Sequence, residues 1–283
     1  MELSAFALRV VAGTDLAAKL APPPRALSDR SPCLGPPPMA PGRPAGLTIR
    51  PGREVKRLPR LTGMVDPRQR GRILHALANH ELQAAELYAW ALLAYPDAEP
   101  AFRQDLLAIL QEEQRHTRMY LSRLPSCGLA FGDQPLTGYF WGKTPALLGS
   151  PLRFVCAMAL TFENANLDHT VALEEAALAA GDDASAAVIR RVRADEVGHV
   201  AFGWRWLSRW KDPAMSMWEG YLAHVHWPLR PALARGQRFN RADRLAARLD
   251  PAFIDLLEAA ESESGAQGPP DEDPPRRGPG SGR

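Results

Sequence analysis

Hydrophobic residues in the middle of this chain recur at the three- and four-residue spacing of an α-helix. The pattern predicts four helices, each roughly 25 to 30 residues and about 40 Å long. Capping residues or prolines mark the predicted starts, and proline or glycine marks the ends. The helices run from Asp66-Pro67 to about Tyr95, from about Pro100 to Leu124, from Ser150-Pro151 to near Gly181, and from Asp182-Asp183 to about Lys211.

The connections between these helices predict how they are arranged. The first and second helices are joined by a short link, as are the third and fourth, but the segment from Pro125 to Gly149 separates the two pairs. Two hairpins joined by one long crossover form a ferritin-like four-helix bundle. Because no βαβ alternation or sustained period-2 segment competes, the predicted fold class is all-α.

The two ends of the chain differ from this middle part. Leu3, Phe6 and Val10 share one face of a short predicted helix over residues 2–12, and a Pro- and Gly-rich arm follows. After the bundle, a helix is predicted over residues 214–226, and helix caps at Asn240 and Asp250-Pro251 predict two more. The predicted organisation is an N-terminal helix and arm (1–66), a bundle (67–212), a helical extension (213–262) and a disordered tail (263–283).

Composition mainly excludes some classes of protein and of site. Hydrophobic residues make up 46% of the chain and charged residues 23%, as in globular proteins with a buried core. The net charge of +2 favours no class of partner, and leaves a nucleic-acid partner only weakly supported. Cys33, Cys127 and Cys156 form no CxxC pair, so a reduced, cytoplasmic setting without structural zinc is expected. No apolar run is long enough to span a membrane, and Arg9 interrupts the one that a secretory signal would need.

Candidate chemistry lies in two Glu-x-x-His motifs. Glu113 and His116 lie in the second predicted helix, and Glu196 and His199 lie in the fourth. Residues three apart share one helix face, so each pair can offer a carboxylate and an imidazole to one metal ion. The alternative is that each pair is a solvated surface pair. Two such motifs deep in long helices, one in the second helix and one in the fourth, are the arrangement that a bundle with this crossover requires, and they favour the metal site.

Two further carboxylates complete the predicted site. Glu163 lies on a mostly apolar face of the third helix, where an ionised side chain is costly unless it is paired or binds metal. The first helix offers Glu81 and Glu86, which lie about 140° apart around the helix, so both cannot point into one site. Glu81 shares its face with Leu77 and Tyr88 and is the predicted ligand, with Glu86 the alternative.

The complete set matches a known pattern for two metal ions. One Glu from each of two helices and Glu-x-x-His from each of the other two is the ligand set of di-iron and di-manganese carboxylate bundles. The predicted cofactor is a pair of iron ions, with a manganese–iron or a dimanganese pair as alternatives, because mixed N/O sites bind several divalent ions. The predicted ligands are Glu81, Glu113, His116, Glu163, Glu196 and His199.

Four neighbours of these ligands are candidates for supporting roles. Asp195 and Glu112 are predicted to accept hydrogen bonds from the ligand histidines across the bundle. The alternative is that both are surface charges, and this alternative is favoured for Glu112. Tyr88 and Tyr120 lie on the ligand faces, where they would relay electrons or hydrogen-bond a bridging group. The favoured interpretation for both is a core tyrosine with a satisfied hydroxyl, so no catalytic residue is assigned beyond the metal ligands.

Other polar residues are assigned to structure or surface. Cys156 precedes Glu163 by seven residues and is expected to face the same way, as a buried free thiol. His75, His80 and His169 have no Glu three residues earlier and are interpreted as structural or surface residues. The C-terminal arginines are interpreted as a solvated helical face, with binding of a phosphate-bearing substrate as the alternative. They are Arg230, Arg235, Arg238, Arg241, Arg244 and Arg248.

Several motifs also carry a family resemblance. The segment from Glu81 to Tyr88 resembles the first-helix motif of rubrerythrins and bacterioferritins, and the segment from Arg193 to His199 resembles their fourth-helix motif. Almost the whole chain resembles a bacterial ferritin-like family, domain of unknown function 455. Further features that carry this resemblance are Phe6-Ala7-Leu8-Arg9-Val10, Lys19-Leu20-Ala21-Pro22-Pro23-Pro24, Ala78-Asn79-His80-Glu81 and the segment from Pro228 to Asn240.

The resemblance implies a ferritin-like fold and a di-iron centre, but it names no reaction. A neighbouring ferritin-like family hydroxylates a modified tRNA nucleoside, which is an analogy at the level of the fold. Our leading hypothesis is an O2-activating oxidase or hydroxylase that acts on an unknown small molecule or modified nucleoside, with an electron donor as partner. The alternative is a metal-handling protein that oxidises or stores iron or removes peroxide. The long arm favours a monomer or homodimer over a storage cage.

Overall fold

Helices dominate the computed structural model of the protein, which describes residues 1–30, 35–55, 57–143, 147, 149–226 and 228–260. Two short strands, β1 (Ile49–Arg50) and β2 (Leu136–Thr137), pair in parallel. Single 3-10 turns lie at Ala45–Leu47, Gly52–Glu54, Leu61–Val65, Leu124–Cys127, Trp141–Lys143 and Pro231–Ala234. The helices are α1 (Leu3–Ala12), α2 (Leu16–Leu20), α3 (Pro67–Ala94), α4 (Pro100–Arg123), α5 (Pro151–Ala157), α6 (Asn164–Ala179), α7 (Asp183–Trp210), α8 (Met217–His224), α9 (Arg241–Ala246) and α10 (Pro251–Ala259).

Capping residues set the starts of the long helices, as the sequence predicted. The side chain of Asp66 accepts a hydrogen bond from the Arg68 amide at the start of α3. Ser150 caps α5 and Asp182 caps α7 in the same way. These side chains satisfy backbone N–H groups that have no partner within the helix. The observed ends of the four long segments lie within two residues of the predicted ones, so these boundaries are confirmed.

The third long segment contains a feature that the sequence did not predict. A single π-helical stretch, Met158–Glu163, joins α5 to α6 without a break, and we call it the π turn. Because a π turn holds more residues than an α turn, it rotates the side chains before it relative to those after it. Cys156 is the buried free thiol that the sequence predicted, but it contributes no atom to the candidate ligand groups. It packs instead in a separate apolar cluster with Leu160 and Tyr221.

The four long segments pack in two hairpins that meet along α4 and α7. Helix α3 packs on α4, and α6 packs on α7. Two apolar clusters are stacked along these helices, one containing Leu87, Phe102, Phe154 and Phe202 and the other containing Leu74, Tyr120, Ala177 and Ile189. On every long segment the predicted metal ligands lie between the residues of these two clusters. The predicted ligands therefore share one level of the four long segments, closed above and below by apolar side chains.

The N-terminal arm is anchored on the outside of α3 and α4. Helix α1 buries Phe6 and Val10 against α3. The fully buried ammonium of Lys19 lies 3.2 Å from Glu86, and the guanidinium of Arg43 lies 2.8 Å from the same carboxylate. Further along, β1 of the arm pairs with β2 of the crossover. The arm is thus held by buried ion pairs, by apolar packing and by a short sheet.

The C-terminal extension folds over α6 and α7. Ser216, Asn240 and Asp250 cap its three helices, and the last two caps confirm the prediction. Arg244 is fully buried and binds both carboxylate oxygens of Asp168, so the C-terminal arginines do not form one solvated face.

The predicted tail, 263–283, lies outside the described residues, as does Cys33. Within the described chain, none of the helices combines the length and apolarity needed to cross a membrane.

Candidate metal centre

The six predicted ligands meet in the middle of the four long segments. Glu81 comes from α3, Glu113 and His116 from α4, Glu163 from the end of the π turn, and Glu196 and His199 from α7. None of the six is more than 4% exposed. Four carboxylates and two imidazoles in an apolar interior would be strongly destabilising unless protons or cations compensate their charge.

Within the described residues, these six side chains form two overlapping groups. One contains Glu81, Glu113, His116 and Glu196, and the other contains Glu113, Glu163, Glu196 and His199. In each group the candidate ligand atoms all lie within 4.8 Å of one another. Because Glu113 and Glu196 belong to both groups, they are placed to bridge two neighbouring ions. Each group has its own histidine and its own additional carboxylate.

Both histidines turn the same ring nitrogen toward the cluster. His116 Nδ1 lies 3.4 Å from Glu81 Oε2 and 3.5 Å from Glu113 Oε2. His199 Nδ1 lies 3.2 Å from Glu113 Oε1 and 3.0 Å from Glu163 Oε2. The two oxygens of Glu113 therefore face different histidines. This near-symmetric arrangement is the one expected when two ions share a carboxylate.

Several buried polar atoms of the cluster lack hydrogen bonds. Both carboxylate oxygens of Glu113, one oxygen of Glu196 and Nδ1 of His116 have no hydrogen-bond partner among the described residues. A buried polar atom without a partner costs about 1 to 3 kcal/mol. Four such atoms in one cluster are therefore an expensive arrangement in a metal-free protein. All four are atoms that bind divalent cations, so the residues present fit a pair of metal ions.

The pKa values of the cluster also favour a site for cations. Burial, together with the charge of Glu113, raises the pKa of Glu81 to about 8. Burial and the nearby Glu163 raise the pKa of Glu196 well above its usual range. Burial disfavours the charged form of His116, but the hydrogen bond with Asp195 and the nearby carboxylates of Glu113 and Glu81 outweigh it and raise the pKa of the imidazole. Protons thus balance the crowded carboxylates when no cation is bound, and cations would displace them.

The outer nitrogen of each histidine meets a carboxylate from the opposite helix. His116 Nε2 lies 3.0 Å from Asp195, and His199 Nε2 lies 2.9 Å from Glu112. Such contacts fix the tautomer that presents Nδ1 to the centre. The structure therefore brings both predicted supporting carboxylates to the histidines. Glu112 is 35% exposed at its side chain but still makes this contact, so it is not merely a surface charge.

The two candidate tyrosines are both fully buried, but they differ in their hydroxyl groups. Tyr88 donates a 2.9 Å hydrogen bond to Glu163 Oε1 and so holds the outer side of that carboxylate. The hydroxyl of Tyr120 has no hydrogen-bond partner among the described residues. Burial raises the pKa of both hydroxyls, so both are neutral. Tyr88 thus supports a predicted ligand, whereas the hydroxyl of Tyr120 remains free to donate a hydrogen bond.

A small cavity of about 10 Å³ touches the cluster, which is room for about one water molecule. All four ligand carboxylates line it, together with Ala84, Phe140, Met158, Phe162 and others. The two ligand histidines do not line it. The cluster therefore has an imidazole side and an open carboxylate side, and a diatomic molecule or water would approach from the latter.

The structure also separates Glu86 from the centre. Its carboxylate accepts hydrogen bonds from Arg43 and from the indole N–H of Trp141, and it faces the ammonium of Lys19. The helix-phase argument that chose Glu81 over Glu86 therefore agrees with the structure. The sequence reasoning missed the cations that hold Glu86, because they lie in the arm, more than forty residues away along the chain.

The sequence predicted no role for one polar neighbour of the cluster, Asn166. The amide of Asn166 donates to Glu196 Oε1 at 3.3 Å. A signal for it existed, since Asn166 lies three residues after Glu163 and so on the same helix face. His75, His80 and His169 contribute no atom to either group of ligands, as expected. His75 accepts a hydrogen bond from the Gly132 amide.

Comparison with known proteins shows the family but not a reaction. A protein-family model described as "Protein of unknown function (DUF455)" matches residues 12–255. An uncharacterized protein of Haemophilus influenzae (strain ATCC 51907 / DSM 11121 / KW20 / Rd) is 27% identical over 140 residues, which cover 47% of this chain and 49% of that protein. The alignment thus spans about half of that relative, and no solved structure matches. Because the family model covers most of the chain, the protein belongs to the DUF455 family.

Proposed function

We propose that the protein is a ferritin-like four-helix-bundle protein that binds two iron ions and uses them to oxidise or hydroxylate a substrate with dioxygen. The observation that carries the proposal is the pair of overlapping ligand groups, with Glu113 and Glu196 common to both. The buried ligand atoms that lack hydrogen bonds support it, because they have no other evident use. The order of the helices around one long crossover supports the ferritin-like assignment.

Each residue has a defined task in this proposal. Glu113 and Glu196 would hold both ions, Glu81 and His116 would complete one site, and Glu163 and His199 would complete the other. When bound, two iron ions would supply electrons for the reduction of dioxygen. A hydroxylation puts one oxygen atom into the substrate and reduces the other to water with two electrons and two protons, so an external electron donor is needed.

The surrounding residues prepare the site for this chemistry. Asp195 and Glu112 would keep the two imidazoles oriented, and Tyr88 would keep Glu163 in place through its hydrogen bond. Met158 and Phe162 line the open carboxylate side and limit its space to about one small molecule. Apolar packing of this kind excludes bulk water, which would otherwise quench a reactive oxidant.

Metal analysis and absorption spectroscopy test the proposal. Protein loaded with Fe(II) without oxygen should hold about two iron ions per chain, and its absorption spectrum should change when O2 is admitted. Glu113→Ala should lose most of this iron, whereas Glu258→Ala, an exposed glutamate on α10, should keep it. Fewer than about one metal ion per chain in the unaltered protein, or full iron in Glu113→Ala, would contradict the proposal. Metal analysis of protein as expressed separates iron from manganese.

The molecular mass in solution separates this function from iron storage. A ferritin-type store needs a cage of about 24 chains, by analogy with the fold. We expect a monomer or homodimer, because the arm and the C-terminal extension cover outer faces of the long helices. Light scattering during size exclusion gives the mass directly. A cage would favour the metal-handling alternative over the oxidase.

A further inference from the structure

A second, larger cavity reaches the candidate metal centre from the side. It has a volume of about 440 Å³ and is lined by residues of the arm, of α3 and α6, and of the segment after α8. Glu81 and Tyr120, both buried, mark its inner end. Leu58 and Leu61, which are 49% and 37% exposed, mark its mouth. The volume lies within the range of pockets that hold small organic ligands.

The walls of this cavity are mainly apolar. Aliphatic side chains from three separate parts of the chain face one another across it, which removes water-binding groups from most of its surface. An apolar molecule would gain free energy in proportion to the surface that it buries there. The aliphatic residues in these walls include Leu58, Leu61, Ile73, Leu77, Ala172 and Leu173.

The charged residues in the walls are already neutralised. Asp168 is held by two hydrogen bonds from the buried guanidinium of Arg244 and by backbone amides. Arg238 forms an ion pair with Glu175. Burial lowers the pKa of His169, so this imidazole is uncharged at neutral pH. Apart from the ligand Glu81, the cavity therefore offers no spare charge to a charged molecule.

One hydrogen-bond donor remains unused at the inner end. The hydroxyl of Tyr120 is fully buried and has no partner among the described residues. Leaving a buried hydroxyl unpaired costs about 1 to 3 kcal/mol, and a bound molecule with a hydrogen-bond acceptor would remove that cost. The donor lies beside Glu81 in the wall, so it would orient a ligand next to the metal centre.

We propose that this cavity is the substrate site, and that the substrate is an uncharged, largely apolar molecule with a hydrogen-bond acceptor that meets Tyr120. The inference rests on the proposed function, because a bound molecule is a substrate only if the metal centre reacts with it. The cavity and its preference for uncharged molecules do not require the metal. An uncharged apolar molecule matches the neutralised walls, and the acceptor matches the free hydroxyl. A phosphate-bearing substrate does not match, because the nearby arginines are paired with carboxylates.

Binding of a fluorescent probe tests the cavity separately from the metals. Prodan, a dimethylaminonaphthalene with a ketone, is uncharged, is largely apolar and carries one strong acceptor. It should bind saturably to the full-length protein, both metal-free and loaded with iron. Anilinonaphthalene sulfonate, which is anionic, should bind at least about tenfold more weakly.

Three variants and one control locate the binding. Ala172→Phe on α6 and Ala76→Phe on α3 fill the cavity from two different helices, and each should weaken Prodan binding about tenfold or more. Ala187→Phe makes the same change on an exposed face of α7 and should leave binding unchanged. Tyr120→Phe should weaken binding about fivefold, the worth of one neutral hydrogen bond, and shift the emission of the ketone to the blue.

Failure of the inference is distinguishable from failure of the proposed function. Absence of saturable Prodan binding, equal binding of the anionic probe, or unchanged binding in both cavity-filling variants would overturn the inference, even with two iron ions per chain. Conversely, a chain that binds no iron but binds Prodan in the predicted way would overturn only the proposed function. The cavity would then be a binding site without the redox centre.

Discussion

At the scale of single residues, Glu81 and Glu86 show how one helix separates two kinds of buried carboxylate. The two lie about 140° apart around α3. Glu81 faces Glu113 and His116, where like charges and burial raise its pKa to about 8. Glu86 forms ion pairs with the cations Lys19 and Arg43 and accepts two hydrogen bonds from Arg43. Identical side chains therefore serve the candidate metal centre and the anchoring of the arm.

The matched variants Glu81→Gln and Glu86→Gln should have opposite effects. Glu81→Gln should lower the iron content by at least one ion per chain, with little change in the free energy of unfolding of the metal-free protein. Glu86→Gln should keep its iron but lower the free energy of unfolding by about 3 kcal/mol, because it leaves two buried cations without their carboxylate. Metal analysis and urea denaturation measure the two quantities. Equal iron loss in both variants would contradict the assignment.

The sequence could predict which side chains meet in the candidate metal centre, but not the partners of Glu86. Spacing within one helix is enough to pair Glu113 with His116, because a helix fixes which residues share a face. Contacts such as those of Lys19 and Arg43 with Glu86 join segments far apart along the chain. No local pattern encodes such a contact. The same reason explains why the burial of Arg244 against Asp168 was missed.

At the scale of elements, the contact between α7 and the π turn is the tightest constraint on the centre. The π turn ends at Glu163 and so sets the direction of that carboxylate. Gly203 of α7 lies against it, and a Cβ at this position would come within 2.6 Å of Ala159 Cβ. A glycine is thus required for the close approach of the two elements. By contrast, Gly198 of the same helix has open space at its Cβ position.

Alanine at these two glycines should change stability in opposite directions. Gly203→Ala should lower the free energy of unfolding by about 1 to 3 kcal/mol, because the added methyl group forces packed side chains apart. Gly198→Ala should raise it by about 0.5 to 1 kcal/mol, because alanine favours an exposed helical position. Urea denaturation of both metal-free variants checks this. A stabilised Gly203→Ala protein would show that the two elements are less tightly packed.

The helix bounds were predictable and the π turn was not. Caps such as Ser150 and the prolines beside them are local signals with a physical cause, and they predicted each long helix within two residues. The stretch Met158–Glu163 shows no local sequence signal for a wider turn, and it packs against α7, which is distant along the chain. Helix-phase arguments across such a turn fail.

At the scale of the whole molecule, the metal-free protein must balance the charge of its centre with protons. Between pH 7 and 8 the glutamates of an unfolded chain are ionised and its histidines are mostly neutral. In the folded protein, raised pKa values keep protons on Glu81, Glu196 and the ligand histidines through part or all of this range. The folded state therefore binds more protons than the unfolded state, and its stability falls as pH rises.

The free energy of unfolding of metal-free protein should thus decrease from pH 7 to pH 8. Iron-loaded protein kept anaerobic should change much less, because the ions replace these protons. Urea denaturation at several pH values, with and without a chelator, measures both. The triple variant Glu81→Gln, Glu163→Gln and Glu196→Gln is the control, and its slope should be reduced. A metal-free stability that increases over this range would contradict the assignment of the cluster.

The anchored arm has a consequence for the order in which the chain folds. The amide of Gln114 binds the carbonyl of Lys19 across 95 residues, and Arg118 binds that of Leu20 across 98. During synthesis, α1 and α2 leave the ribosome long before α4 exists. The apolar face of α1, with Phe6 and Val10, therefore stays uncovered until later helices emerge. A chain that stalls before α3 has emerged exposes this face to aggregation and to chaperones, and the arm completes its docking only after Gln114 and Arg118 of α4 have been made.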